Sequence, residues 1–551
     1  MSQLLSRLQE EILLLDGAMG TELQNKGLEV GNCPEKLNLT HPKILKEIHN
    51  SYVKAGSDII QTNTFGANSI KLDKYGLSEE IEKINTTAVK LAQEAANQNT
   101  LISASIGPTG KLLEPMGILS FQEAYEVFAQ QAEILAAAGA DLINIETMID
   151  LQEAKAALIA VKENTSLPVI CNLTYETGQR TVTGTDPMTA ITVLKAAGAD
   201  IIGANCGLGP AELTKIINTM GQQKSSYLAV QPNAGLPVLD EHNQTIFPME
   251  AEEMASYGAD FVAAGANIIG GCCGSSPDYI RLLRAEIKDL KPKSEAEQIK
   301  VRVASRTQQL SLNQTKPLFV GDKIDSTEQT DLATELKNNK TNLLSQVTTN
   351  QDQAGADIIS CNLSDLTKPQ QVKKIVNTVQ MRTRLPLALK LKKPELLEVA
   401  LQSIVGKPLI QLVDINQPKA EEILTLTNKY GATILIPTLI DKQPITIEKI
   451  LTTVQNNFER LIDLGIQKNN IIIELPATEI TAQQSSGQQI LTAIKSIKKD
   501  LNLSTALRKK ELVTNLPHSE KVKTTYLTMA IQAGLDILIL DPTQQRLKKL
   551  C

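Results

Sequence analysis

Two tandem (β/α)8 TIM barrels, of the α/β class, are predicted from three features of the 551-residue sequence. Short runs rich in Val, Ile and Leu recur eight times before residue 290, and each pair is separated by enough chain for a crossover helix. A polar stretch follows, and then a second cycle of eight such runs, one of them weak. Eight units match a closed barrel better than an open doubly wound sheet, and no Gly-x-Gly-x-x-Gly follows the first run. On pattern alone the doubly wound sheet stays open.

The first eight runs are ILLLDGA from Ile12, SDIIQTN from Ser57, LISASIG from Leu101, ADLINIET from Ala140, PVICNLT from Pro168, ADIIGANCG from Ala199, YLAVQPN from Tyr227 and ANIIGGCCG from Ala266. Between them, Leu151, Ala154, Leu158 and Val161 fall at helical spacing. Ala55-Gly56-Ser57, Ala138-Gly139-Ala140 and Ala197-Gly198-Ala199 end helices, where glycine supplies the left-handed conformation after the last turn. The opposite loops, at the C-terminal ends of the strands, therefore carry the unusual residues.

Residues 1–290 form the first predicted domain, and 291–315, rich in charge, Ser and Gln, read as a linker with room for a short helix. The second domain, 316–551, carries PLFVGD from Pro317, ADIISCN from Ala356, LPLALK from Leu385, PLIQLVD from Pro408, ATILIPT from Ala432, IIIELP from Ile471, a weak run over Leu501 to Leu507, and LDILILD from Leu535.

Composition narrows the function. A net charge of -6 argues against a nucleic-acid partner, which would call for a basic stripe. With no Trp and only 3% aromatics, stacking platforms for bases or sugars lack material. No run has the length to span a bilayer, and the opening has no signal-peptide pattern, so a cytoplasmic protein without membrane association is expected. Seven Cys are too few for a disulfide scaffold.

Three of those Cys fall where a barrel gathers its functional groups. Cys206 follows the sixth run, and the adjacent Cys272 and Cys273 follow the eighth, so the three sulfurs share one rim. Three thiolates suit Zn2+ and would leave its fourth position for a substrate. A substrate thiol bound there would be favoured as thiolate, a nucleophile for an electrophilic methyl group. Such a sulfur-rich centre suits alkyl transfer better than hydrolysis. From the residues alone, inert buried thiols and a redox dithiol stay open beside zinc.

The motifs DGAMGTEL (Asp16 to Leu23), TNTFGAN (Thr62 to Asn68), SIGPTG (Ser105 to Gly110), NIET (Asn144 to Thr147), GTDP (Gly184 to Pro187), ANCGLGP (Ala204 to Pro210), QPNAGLP (Gln231 to Pro237) and GGCCGSSP (Gly270 to Pro277) resemble the homocysteine S-methyltransferase family. More narrowly, the chain resembles the N-terminal two-barrel half of cobalamin-dependent methionine synthases. The resemblance implies that Cys206, Cys272 and Cys273 are catalytic zinc ligands, that homocysteine supplies the remaining sulfur, and that the product is methionine. It further implies that Asp16 and Glu146 bind the substrate's amino end, with backbone groups near the first and third strand ends receiving its carboxylate. An ammonium group would be matched in charge by two carboxylates. Asn63, Asn144 and Asn233 are weaker candidates for organising the rim.

Residues 317–551 resemble the folate-binding barrel of the same enzymes in length, strand order and the ending AIQAGLDILILDP. The ligand positions depart from that pattern: Gly321-Asp322-Lys323-Ile324-Asp325 stands for Gly-Glu-Arg-x-Asn, and Leu389-Lys390-Leu391 for Ile-Asp-Ser. Gln411-Leu412 stands for Asn-Ser, Glu474 for Asp, and Arg508-Lys509 for Ser-Asn. Lys390 reverses charge where a pterin would need an acceptor, which argues against methyltetrahydrofolate as a ligand. Asp322, Asp325, Asn362, Lys390, Glu474 and Lys509 mark the candidate ligand site of this barrel. Lys390, Lys392, Lys393, Arg508, Lys509 and Lys510 could instead hold an anion or simply solvate a rim.

His41, His49, His242 and His518 lie in no Asp-x-His-x-x-Gly corrinoid motif. Cobalamin would then arrive on a separate protein, or a small donor such as S-methylmethionine or S-adenosylmethionine would react directly. Methyl transfer to homocysteine is the leading reading. Its competitors are a methyltetrahydrofolate-using component and a noncatalytic thiol-binding interaction protein.

Overall fold

The computed structural model describes residues 2–28, 31–224, 226–239, 245–293, 300–312, 316–328, 330–439, 446–476, 486–508 and 519–543. The chain divides into two compact units, Met1–Gln298 and Ile299–Cys551. Each is a barrel of eight parallel strands.

In the first unit, β1 (Leu13–Leu14), β2 (Ile59–Gln61), β3 (Leu101–Ile106), β4 (Leu142–Met148), β5 (Val169–Leu173), β6 (Ile201–Asn205) and β7 (Tyr227–Gln231) follow in order. The hairpin strands β8 (Val238–Leu239) and β9 (Thr245–Ile246) leave the loop after β7, and β10 (Ile268–Ile269) completes the ring. The order is β1-β10-β7-β6-β5-β4-β3-β2, and a parallel bridge between Leu15 and Ile59 closes it. Strands covered on both faces favour apolar residues on both, which is why they read as largely apolar runs; β3, β5 and β6 are buried throughout, their polar members Ser103, Ser105, Asn172 and Asn205 included. A short helix, Gln3–Arg7, packs Leu4 and the following Leu8 under the barrel against Leu13, Ile59, Leu142, Ile201 and Ile268.

The second unit begins with an antiparallel hairpin, β11 (Arg302–Ala304) and β12 (Gln309–Ser311). Its closed ring comprises β13 (Leu318–Asp325), β14 (Ile358–Asn362), β15 (Leu387–Lys390), β16 (Leu409–Gln411), β17 (Thr433–Pro437), β18 (Ile471–Glu474), β19 (Ser504–Arg508) and β20 (Ile537–Leu540). Within the span 291–315, expected as a linker, the described residues 300–312 hold this hairpin. Val301, Val303 and Leu312 are buried with Leu318, Ile358, Leu435 and Ile537, so this segment is the floor of the second barrel. Its apolar residues alternate over too few positions for a period to be visible in the sequence.

A six-fold signature joins helices to strands in both rings. Ala-Gly-x-Asp occurs at Asp58, Asp141, Asp200, Asp357 and Asp536, with Asn267 as the sixth member. The glycines Gly56, Gly139, Gly198, Gly265, Gly355 and Gly534 all have φ between 90° and 109°. The acidic or amide side chain accepts from the backbone N–H of one residue on the neighbouring strand, as Asp141 Oδ2 does from Ile102 at 2.7 Å. Leu14, Val169, Leu228, Phe319 and Thr505 donate in the same way. The N–H of the Asp or Asn returns a bond to that residue's carbonyl, 2.9 Å for Asp141 to Ile102. Six strands, four in the first ring and two in the second, are thereby pinned at their start to the strand before.

Candidate active site

The C-terminal ends of β6 and β10 bring the three thiols together. Cys206 follows β6 with φ of +59°, and its N–H is held by the Gln231 carbonyl at 3.0 Å. Cys272 donates its N–H to the Pro232 carbonyl at 2.8 Å, and the Cys273 carbonyl accepts from Ala234 at 2.9 Å. Glycine is required on both sides of the pair. A Cβ at Gly271 would lie 2.2 Å from Ser275 Oγ, and Gly274 combines φ of +80° with Phe247 against its α-carbon. Ser275 Oγ donates to the Cys272 carbonyl at 2.7 Å and accepts from Ala18 at 3.1 Å, tying this loop to the one after β1.

The three Sγ atoms all lie within 4.8 Å of one another, and those of Cys206 and Cys273 are 3.9 Å apart. Bonds of about 2.3 Å to a tetrahedral zinc ion would set sulfurs about 3.8 Å apart. The donor set therefore fits such an ion in chemistry and in spacing. Left to themselves, the thiols share charge unequally. Bonding from Cys272 and Cys273 pulls Cys206 far below the ordinary thiol range, while Cys272 and Cys273 are pushed up, chiefly by their bonds to Cys206.

Asp16 and Glu146 line the same mouth at 1% and 7% exposure. Asp16 Oδ2 accepts from the Gln61 N–H at 2.8 Å, while Oδ1 is buried without a hydrogen-bond partner. Glu146 Oε1 accepts from Ser105 Oγ, and Oε2 accepts from Asn205 Nδ2 at 3.3 Å. Burial raises both carboxyls, Glu146 to about 7, with the nearby Cys206 charge adding to it; the Glu146 charge adds to the rise at Asp16. Among the described residues neither carboxylate has a salt-bridge partner, which leaves the pair short of a cation.

Asn205 links the two halves of the site. Its Nδ2 reaches Glu146, Thr147 Oγ1 at 2.9 Å and the Cys272 sulfur at 3.9 Å, while its Oδ1 accepts the Thr147 N–H at 2.7 Å. Thr147 needs that support: its φ of +59° is a strained conformation for a β-branched residue. Beneath the carboxylates, Gln61, Asn144, Asn172 and Gln231 form a buried layer of amides bonded to one another at 2.6–3.3 Å. Sequence reasoning missed Asn205, Thr147, Ser105 and, apart from Asn144, this layer. The only signals were the position of Asn205 beside Cys206 and of Thr147 beside Glu146. Asn233 lies buried near Cys206 with its Oδ1 unpartnered, and Asn63 ties a loop through Pro34 and Asn38, away from the thiols.

The comparisons with known proteins meet this geometry. Residues 13–287 match the family model described as homocysteine S-methyltransferase. The first barrel belongs to that family. Over 98% of its length the chain is 26% identical to methionine synthase of Mycobacterium tuberculosis (strain ATCC 25618 / H37Rv) and 27% identical to that of Mycobacterium leprae (strain TN). It spans about half, 48%, of each of these relatives. Among solved structures, the metallated form of the homocysteine methyltransferase MmuM from Escherichia coli is 25% identical with a TM-score of 0.45, covering 51% of this chain and 98% of its own. The three-thiol cluster of this homocysteine S-methyltransferase barrel thus lies within the matched segment.

In the second barrel, Asp322, Asp325, Asn362, Lys390 and Glu474 lie at the C-terminal ends of their strands, and Lys509 and Lys510 lie outside the described residues. Asp325 accepts from Asn362 Nδ2 at 3.1 Å, and Glu474 accepts from Arg508 Nε at 3.0 Å. Arg508, expected among the cations free to meet an anion, is engaged by carboxylates instead. Burial, and then the Arg508 charge, lower the Lys390 ammonium from its ordinary value. No described helix is long and apolar enough to cross a membrane.

Proposed function

We propose that the first barrel transfers a methyl group from an external donor to the thiol of homocysteine, forming methionine. The observation that carries this reading is the convergence of Cys206, Cys272 and Cys273 beside two buried carboxylates that have no salt-bridge partner among the described residues. A zinc ion held by the three cysteines would supply Lewis-acid activation of the substrate thiol at neutral pH. Asp16 Oδ1 and Glu146 would bind the substrate ammonium and so fix the distance between its amino end and its sulfur. Asn205 bonds both Glu146 and the Cys272 sulfur, which supports a substrate no longer than a small amino acid spanning the two. The buried amide layer closes the floor, leaving approach to the sulfur from the rim. The chain's contribution is thus alignment of a nucleophile and exclusion of competing paths.

The donor reading follows the rim. Loops after β3, β5 and β7 expose Ile118, Val182 and Leu239, at 82%, 62% and 67%, around the mouth that holds the thiols. Apolar side chains exposed at this end of the barrel offer contact area that a large carrier would use and a small free donor would not. A methyl-corrinoid protein is the proposed carrier, with cobalamin held on that separate protein; methyltetrahydrofolate is not the proposed ligand of this chain.

The test is a screen of isotope-labelled methyl donors with the zinc-loaded, reduced protein and homocysteine, including a methyl-corrinoid protein, methyltetrahydrofolate and S-methylmethionine. Labelled methionine should form, and Cys206→Ser and Cys272→Ser should lose both turnover and the bound zinc seen by elemental analysis. Absence of zinc from the wild type together with absence of transfer from every donor would reject the reading.

A further inference from the structure

One side chain of the second barrel reaches across the C-terminal ends of its strands. Arg508 ends β19, and its guanidinium reaches across to three other strands. Nε donates to Glu474 Oε1 on β18 at 3.0 Å, one terminal nitrogen donates to Gln411 Oε1 on β16 at 3.2 Å, and the other lies 3.9 Å from Asp322 Oδ2 on β13. Gln411 is buried and oriented by its own bond, Nε2 to Ser360 Oγ on β14 at 2.7 Å, so its carbonyl oxygen faces the arginine. The Arg508 and Glu474 side chains are only 19% and 14% exposed.

A carboxylate flanked by an oriented amide oxygen is a seat for a planar group with adjacent N–H donors. Guanidinium has that edge, and so do cyclic guanidines such as the aminopyrimidinone ring of a pterin. We propose that Arg508 is the resident occupant of this seat: the barrel keeps an acceptor site for a guanidine-like edge and fills it from β19, closing its mouth to free ligands of that class. Lys390, beside Arg508, adds a second positive charge that opposes entry of another cation while the arginine is in place. The inference stands apart from methyl transfer in the first barrel, because it concerns only groups of the second.

The experiment uses the full chain as wild type, Arg508→Ala and Arg508→Ala/Glu474→Gln, titrated with methylguanidinium and with methyltetrahydrofolate by calorimetry. The wild type should bind neither. Arg508→Ala should bind methylguanidinium about tenfold or more tightly than the double variant, since a charge-assisted bond separates them. Equal binding of either probe by the wild type and Arg508→Ala would overturn the proposal, as would equal methylguanidinium binding by the single and double variants. If Arg508→Ala does not fold, the wild type decides through hydrogen exchange of arginine Nε–H groups. A protected resonance lost in Glu474→Gln supports the seat, and the lack of any such resonance overturns it.

Discussion

Asn205 sits between a strained backbone, a carboxylate and a thiol, so a single amide sets the orientation of Glu146, Thr147 and Cys272 together. Replacing it with Ala would free all three while leaving every proposed ligand in place. We expect Asn205→Ala to weaken zinc affinity and kcat/KM by about 10- to 100-fold, measured by competition with a chelator and by methyl-transfer kinetics, with the circular dichroism spectrum unchanged. His49 offers a test of a different kind. Its ring is buried, its Nδ1 has no partner, and burial lowers its pKa from 6.5 to about 4. The unfolded chain therefore takes up this proton first. The stability that neutral His49 contributes is present above pH 6.5 and is lost as pH falls through about 4. The difference is worth about 3 kcal/mol for a fully buried ring, and His49→Leu should flatten the fall in the first barrel's melting temperature over that range, followed by scanning calorimetry. The clustering of the three thiols was legible in the sequence because the barrel puts the ends of its strands on one rim and Cys206, Cys272 and Cys273 all follow strands. The role of Asn205 and the partners of Arg508 were not, because an amide or a guanidinium gains its role only from neighbours brought in by other strands.

The repeated Ala-Gly-x-Asp corner acts at the scale of the element. Its Gly was readable from residue type, since a helix end calls for a left-handed residue. The following Asp escaped notice because its partner, an N–H on the preceding strand, is some forty positions away, as in the 39 residues between Ile102 and Asp141. Asp141→Ala would leave that N–H without its acceptor, at a cost of about 1–3 kcal/mol, while Asp141→Asn should stay close to wild type because Asn267 performs the same task with an amide. Chemical denaturation followed by a first-barrel probe distinguishes the two. The strand runs were legible for the same reason the corners repeat: every unit meets the same physical demands. The hairpin of β11 and β12 escaped because each arm is only three residues long.

For the whole molecule, two rings share one construction and differ at their mouths. Each has its floor sealed by a segment that precedes the first strand, Gln3–Arg7 in one and the β11–β12 hairpin in the other. Val303, fully buried in the second floor, makes a selective test. Val303→Asp places an unpaired carboxyl in an apolar layer and should destabilise the second unit by several kcal/mol, lowering its melting transition while zinc stoichiometry in the first is kept.

The six corners that pin pairs of strands lie at the opposite end of each ring from the thiols and from Arg508. Rim residues are consequently free to change without unfastening the staves. A ring can trade one ligand pattern for another, or for none, and still close. The second barrel, with its altered mouth and intact hoops, illustrates that freedom, and loops grafted onto its upper edge would inherit a vessel already sealed below.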